Sequence, residues 1–177
     1  MKSIILGLLL TATVGTAVAE VAYEAEHERV LRREVVVNAT LDDVWSAWTT
    51  SEGAKRFFAP HARIEPVLGG AYEIHFSPQN PEGTRGCEGC KVHSVQPKSL
   101  LRFTWNAPPA SPLRKAGLFT LVTLRFRELK PGKVSVHFEQ SGWGDGPEWD
   151  ALYGYFSKAW DRVLPRFVQA CESGAGR

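Results

Sequence analysis

The last part of the chain carries apolar residues on one side of a predicted long helix, and this feature restricts the fold most. The apolar positions are Trp149, Leu152, Tyr153, Phe156, Ala159, Trp160, Val163, Leu164 and Phe167, and their spacing follows one face of an α-helix. Pro147 and Glu148 suit the first turn of this helix, whereas Pro165 predicts a kink or a weakening of its last turns. So large an aromatic face has to be covered by another apolar surface.

Segments rich in β-branched or alternating apolar residues precede this helix and predict the strands that cover it. The predicted strands span residues 30–37, 71–76, 90–95, 101–105, 119–128 and 134–141, and residues 106–117 are predicted as a loop. Two short helices at 41–48 and 51–58 follow the first strand, with Thr40 and Ser51 at their starts. Runs of strands with segregated helices indicate an α+β fold, in which one antiparallel sheet curls around the long helix.

The phase of the strands assigns side chains to the two faces of that sheet. Tyr72, Ile74 and Phe76 share the apolar face of the second strand, and Gln140 is in phase with the apolar residues of the last strand. His75 falls out of phase with its apolar neighbours, so we expect it to face solvent.

The first nineteen residues have the pattern of a secretory signal peptide. Lys2 precedes an apolar run, and the small residues 17–19 predict cleavage after Ala19. The run is shorter than the ~20 residues that span a bilayer, so the mature chain is predicted to lack a transmembrane segment. We therefore expect a periplasmic or secreted protein with a loose leader at 20–29, one domain at 30–172 and a disordered tail at 173–177.

Composition and motifs exclude several classes of function. The 21 Lys and Arg residues against 19 Asp and Glu leave a formal net charge of +2, which disfavours a dedicated nucleic-acid binder. The sequence contains no G-x-S-x-G, P-loop or G-x-G-x-x-G motif, and its five histidines show no paired spacing. We therefore predict no cofactor, no metal site and no catalytic motif.

Cys87 and Cys90 form a C-x-x-C pair for which three interpretations stay open. An oxidising compartment favours a local disulfide, which needs a bulge or turn that Gly86 and Gly89 could provide. The second interpretation is two separate thiols, with Cys90 buried. The third is a metal or redox site, although the flanking residues resemble a strand rather than the helix start that activates a redox thiol.

Five segments together resemble the START-like superfamily (SRPBCC, Bet v 1-like), and within it the activator of Hsp90 ATPase homologue-like domain. They are ATLDDVWSAWT at 39–49, LGGAY at 68–72, VQPKSLLRFTW at 95–105, SGWG at 141–144 and the helix at 149–164. The resemblance implies a helix-grip fold, in which a curved antiparallel sheet wraps a long C-terminal helix. It does not fix a function, because the relatives include lipid carriers, hormone receptors, polyketide cyclases and co-chaperones.

The resemblance also implies an apolar cavity between the sheet and the C-terminal helix. We expect it to bind a small hydrophobic molecule in a protein that is a monomer or dimer. The residues expected to bind the ligand are Trp48, Phe57, Tyr72, Ile74, Phe76, Trp105, Gln140, Trp149, Tyr153, Phe156 and Trp160.

Two alternatives to a binding protein stay open. The first is an enzyme of the cyclase, lyase or hydrolase type that uses the same pocket, with Glu88 as the best candidate carboxylate. The second is an extracytoplasmic co-chaperone-like interaction module, which predicts a large exposed apolar patch.

Overall fold

The elements follow the predicted order, and the long helix comes last. The computed structural model describes residues 29–174, so the predicted signal peptide, most of the leader and the last three residues lie outside the described part. The elements are β1 (Leu31–Val37), α1 (Leu41–Thr49), α2 (Ser51–Lys55), β2 (His61–Ile64), β3 (Tyr72–His75), β4 (Val92–Gln96), β5 (Leu100–Asn106), α3 (Pro112–Lys115), β6 (Phe119–Lys130), β7 (Lys133–Ser141) and α4 (Pro147–Gly174).

The strands form a five-stranded antiparallel sheet and a separate hairpin rather than the single sheet expected. The larger sheet has the order β1-β7-β6-β5-β4, and β2 pairs with β3. Several backbone hydrogen bonds join the hairpin to the start of β4 and the residues before it. The Tyr72 N–H donates to the Cys90 carbonyl at 2.9 Å, and the Val92 N–H donates to the Gly70 carbonyl at 2.9 Å. The hairpin therefore extends the curved surface on which α4 lies.

The two short helices are held by threonine caps. Thr40 accepts a hydrogen bond from the Asp43 N–H at 3.2 Å at the start of α1, as predicted. Thr50, not Ser51, caps α2, because its hydroxyl accepts from the Gly53 N–H at 2.9 Å. The helix ends at Lys55, earlier than predicted, and the chain turns there so that Phe58 points into the core.

The C-terminal helix continues past its internal proline. α4 has 28 residues, and nine of them follow Pro165. Phe167 and Cys171 are buried in this last part, and the Phe167 ring lies 5.2 Å from that of Trp48. Burial of these side chains stabilises the turns that Pro165 was expected to weaken. Residues 173 and 174, predicted to belong to a disordered tail, are helical.

Aromatic side chains fill the space between the sheet and the middle of α4. The rings of Trp160 and Phe138 are 4.4 Å apart, and those of Tyr72 and Phe103 stack at 3.7 Å. All four side chains are buried, so protein atoms fill most of the space around them. The fold is the predicted α+β helix-grip arrangement, with a filled core over most of its length.

Candidate functional site

Open space remains at one end of the sheet, in a cavity that we call the α4 cavity. Its volume of about 460 Å³ lies within the range of small-molecule sites. Its walls come from residues 155–166 in the middle of α4, from the loop between β3 and β4 and from the loop after β5. The lining residues are Phe58, Phe76, Ser77, Asn80, Thr84, Arg85, Gly86, Cys87, Trp105, Asn106, Ala107, Pro108, Pro109, Tyr155, Phe156, Ala159, Trp160, Arg162, Val163 and Arg166.

Three aromatic rings form the floor of the α4 cavity. Phe58 and Trp105 stack with ring centroids 5.4 Å apart, and Trp105 lies 5.6 Å from Trp160. Phe76 forms part of the wall, and 47% of its surface is exposed. These rings give the cavity a rigid apolar base with unburied aromatic surface beside it.

A buried chain of hydrogen bonds fixes the ring of Trp160. Its indole N–H donates to Gln140 Oε1 at 2.7 Å, and Gln140 Nε2 donates to the Thr120 hydroxyl at 2.7 Å. The Thr120 hydroxyl in turn donates to the Trp105 carbonyl at 3.0 Å. Both cavity tryptophans are therefore held by one polar network beneath the floor.

The mouth of the α4 cavity carries positive charge from two sides. Arg162 and Arg166 lie one turn apart on α4, and Arg85 comes from the β3–β4 loop across the opening. The Nε–H of Arg85 donates to the Asn80 carbonyl at 3.0 Å, which holds its side chain against the loop. No Asp or Glu among the described residues lines this cavity.

The wall below Arg85 contains the C-x-x-C pair, and Cys87 and Cys90 are joined in a disulfide. The structure thus has the first of the three arrangements considered, the local disulfide. The interpretations of Cys87 and Cys90 as two separate thiols or as a metal or redox site do not hold. The turn that the bridge needs is present, because Gly89 has a positive φ of 75°. Cys171 is a buried free thiol, and burial raises its pKa to about 11.

Glu88, the candidate catalytic carboxylate, does not line the α4 cavity. It points into a separate polar pocket, where its carboxylate accepts hydrogen bonds from the Gly83 and Arg85 N–H groups, both at 2.8 Å. Arg114 lies 3.4 Å from the same carboxylate. Burial acts to raise the pKa of Glu88, but the two N–H donors and the nearby positive charge lower it overall. Glu88 therefore ties the β3–β4 loop to α3.

Arg114 completes this tie between the loops. Its guanidinium donates to the Gly86 and Gly83 carbonyls, both at 2.7 Å, and to the Ala107 carbonyl at 3.1 Å. Burial lowers the pKa of Arg114, and the charge of Glu88 opposes that shift. Arg114 therefore holds the β3–β4 loop and the loop after β5 together in the wall of the cavity.

Comparison with known proteins places the chain in a family. The sequence profile of the Activator of Hsp90 ATPase homolog 1-like protein family (AHSA1) matches residues 38–172. The chain belongs to the AHSA1 family. A comparison with curated protein sequences finds no match.

Solved structures of low sequence identity share the fold of this AHSA1 domain. Protein MLL2253 from Mesorhizobium loti is 22% identical, with a TM-score of 0.63 over 80% of this chain and 96% of that one. The Aha1 dimer from Colwellia psychrerythraea is 17% identical, with a TM-score of 0.62 over 84% of this chain and 99% of that one. DynU16, a protein of the dynemicin biosynthetic locus, is 18% identical, with a TM-score of 0.60 over 82% of this chain and 48% of that one.

The AHSA1 domain brings four of the eleven expected ligand-binding residues to its cavity: Phe76, Trp105, Phe156 and Trp160. The other seven expected residues do not line this cavity and pack elsewhere. Trp48 and Phe57 pack against each other and against Phe167.

Tyr72, Ile74 and Gln140 face inward, as their strand phase predicts, but protein atoms cover them completely. The Tyr72 hydroxyl donates to the Trp48 carbonyl at 3.1 Å, and burial raises the pKa of Tyr72 well above its ordinary value. Gln140 serves the tryptophan network beneath the floor. Strand phase thus predicted burial, and neighbouring aromatic rings occupy the space expected for a ligand.

Trp149 and Tyr153 lie in the first turns of α4, away from the α4 cavity, and pack on Trp143. The Trp143 ring is 6.5 Å from Trp149 and 5.1 Å from Tyr153. Arg29 covers the outer face of the Tyr153 ring at 5.4 Å. These three aromatic side chains pack against one another and cover the first turns of α4.

His75 is buried rather than solvent-facing. Only 9% of its surface is exposed, because the hairpin register places it opposite His61 and the two rings stack at 4.9 Å. Burial and the neighbouring His61 lower the pKa of His75. His75 belongs to the polar pocket of Glu88 and not to the α4 cavity.

The three arginines at the mouth and Phe58 were not among the expected site residues. Residues 155, 159, 162, 163 and 166 have the spacing of one face of a helix. This spacing could have indicated that a second face of α4, next to its apolar face, lines the site. Arg85 gives no such signal, because its position depends on how the β3–β4 loop folds over the sheet.

Among residues 29–174, no helix is long and apolar enough to cross a membrane. The same residues contain no cluster of His, Cys, Asp and Glu that could hold a metal ion.

Proposed function

We propose that this AHSA1 protein binds a small hydrophobic molecule in the α4 cavity. The observation that carries the proposal is an aromatic-floored cavity of about 460 Å³ with unburied apolar surface at its edge. Phe76 and Tyr155 are 47% and 50% exposed there. Covering such surface contributes roughly 25 cal/mol per Å², so a ligand would gain affinity chiefly from apolar burial.

The lining favours binding over acid–base catalysis. Within the described part of the chain, no carboxylate, histidine or free thiol lines the α4 cavity. The ionisable side chains in its lining are three arginines and Tyr155. In general, guanidinium and phenol groups titrate far above neutral pH. Proton transfer needs a group that can change its protonation state near the working pH. The enzyme alternative therefore has less support than a binding protein.

We also propose that the protein is exported, which the pattern of the first nineteen residues supports. Export would separate it from cytosolic Hsp90, so a co-chaperone role has less support than ligand binding. The intact mass of protein recovered from a bacterial periplasm should correspond to a chain that begins at Glu20. A mass that retains the first nineteen residues would contradict export with cleavage.

Phenylnaphthylamine, a neutral aromatic dye that fluoresces in apolar surroundings, tests the proposed site. Wild-type protein should bind it with saturable fluorescence enhancement. The variant Ala159→Phe should bind it roughly tenfold or more weakly, because the new ring occupies part of a cavity that admits only a small molecule.

Ala151→Phe is the matched control, since Ala151 is an exposed residue of the same helix outside the cavity lining. It should leave dye binding unchanged, and urea denaturation should show that both variants fold. Absence of saturable binding by wild type, or equal binding by folded Ala159→Phe and wild type, would overturn the proposal.

A further inference from the structure

We propose that the ligand is an amphipathic anion, whose apolar body occupies the α4 cavity and whose carboxylate, sulfate or phosphate group binds the arginines at the mouth. This inference rests on the proposed function and adds the chemical class of the ligand. Its basis is the combination of one apolar cavity with three arginines and no carboxylate in the lining.

The charge at the mouth is not balanced by the protein. Arg85, Arg162 and Arg166 form no ion pair among the described residues. Five other arginines each pair with a carboxylate: Arg29, Arg32, Arg33, Arg63 and Arg114. Arg56, Arg102, Arg125 and Arg127 also form no ion pair among the described residues, but none of them lines the α4 cavity. Three unpaired guanidinium groups therefore meet at this cavity.

Glu88, which lies in the β3–β4 loop close in sequence to Arg85, is already engaged. Glu88 lies against Arg114 and accepts the Gly83 and Arg85 backbone N–H groups, so it does not compete for the Arg85 guanidinium. Asp161, next to Arg162 in the sequence, pairs with Arg33 at 2.8 Å on another face of α4. An incoming anion therefore meets three guanidinium groups without an intramolecular rival.

The positions of the lining residues on α4 determine which way round the ligand would lie, with its apolar end and its charged end at different residues. Ala159 and Val163 lie against the apolar body, and Arg162 and Arg166 follow on the same stripe with Cβ atoms about 6 Å apart. Arg85 closes the opposite wall. Guanidinium groups from two walls suit the planar, bidentate recognition of carboxylate and phosphate oxygens.

Two dyes that share an apolar body test the inference. Anilinonaphthalene sulfonate carries the body of phenylnaphthylamine with an added sulfonate. Wild-type protein should bind the sulfonate roughly tenfold more tightly at low salt, as expected for two or three partly exposed charge pairs. In ~1 M salt, where the Debye length is about 3 Å, this preference should nearly disappear.

Arginine-to-glutamine variants assign the preference to residues. Arg85→Gln, Arg162→Gln and Arg166→Gln should each weaken sulfonate binding about two- to fivefold, and more than they weaken binding of the neutral dye. Arg127→Gln is the control, because it removes the same charge at an exposed position of β6 about 23 Å along the strand from Thr120. It should alter neither dye.

The outcomes separate this inference from the proposed function. Equal binding of both dyes by wild type, or an effect of Arg127→Gln as large as that of the mouth variants, would overturn the anionic ligand and leave a hydrophobic binder. If neither dye binds the folded protein, the proposed function itself is overturned.

Discussion

At the scale of single residues, Gln140 determines how firmly the floor of the α4 cavity is held. Gln140→Leu would leave the Trp160 N–H buried without an acceptor, which costs about 1–3 kcal/mol. Urea denaturation should show this loss in the free energy of unfolding. The exposed Gln169→Leu on α4 should change it by no more than about 0.5 kcal/mol. Equal stability of Gln140→Leu and wild type would contradict the role of the network.

Glu88 makes the wall of the cavity sensitive to acid. Its pKa lies below the ordinary value of 4.5, so the folded protein binds the proton more weakly than the unfolded chain. Its stabilising contribution is therefore present above about 4.5 and is lost as the pH falls through the lower folded-state pKa.

Glu88→Gln should lower the free energy of unfolding by about 1–3 kcal/mol at neutral pH, because the amide faces two N–H donors with only one acceptor oxygen. Below about pH 4 the difference from wild type should shrink as wild-type Glu88 becomes protonated. Chemical denaturation across this range measures it, with the exposed Glu82→Gln of the same loop as the control. A difference that does not depend on pH would contradict the assigned role.

At the scale of secondary-structure elements, the turns of α4 after Pro165 are part of the core. Phe167 packs against Trp48 and Phe57, so Phe167→Ala should destabilise the protein by about 3–5 kcal/mol. The control Tyr155→Ala truncates an aromatic residue of the same helix that is 50% exposed, and should cost about 0.5 kcal/mol. Similar losses for the two variants in urea denaturation would show that the end of α4 is not anchored.

The sequence predicts the long elements well, because the periodic pattern of apolar residues repeats several times within each of them. α4, β6 and β7 were predicted nearly as they are, whereas β2 and α3 have only four residues each and were missed. A four-residue element is determined by its partners. β2 forms against β3, and α3 is fixed by the Arg114 contacts to carbonyls 28 and 31 residues earlier in the chain.

The candidate site could be predicted only in part for the same reason. Periodicity identifies inward-facing residues, which Tyr72 and Ile74 are, but not which of them meet empty space. The α4 cavity exists where the β3–β4 loop and the loop after β5 stand away from α4. That arrangement depends on contacts distant in sequence, such as those of the Arg114 guanidinium with Glu88 and with the Gly86 and Gly83 carbonyls.

At the scale of the whole molecule, the aromatic residues divide into a filled core and one open end. Most of the rings pack between sheet and helix, and Trp143, Trp149 and Tyr153 close the first turns of α4. The α4 cavity combines exposed apolar surface with three arginines that form no ion pair among the described residues. Most of the aromatic residues therefore contribute to stability, and a few line the proposed ligand site.

The most direct test of this division is an NMR titration of the indole N–H signals of the six tryptophans with phenylnaphthylamine. Single Trp→Phe substitutions assign the signals. We expect the indole signals of Trp105 and Trp160 to shift with saturation and those of Trp143 and Trp149 to stay unchanged. Shifts confined to Trp143 and Trp149, or no shift in any indole signal at saturating dye, would contradict a ligand site in the α4 cavity.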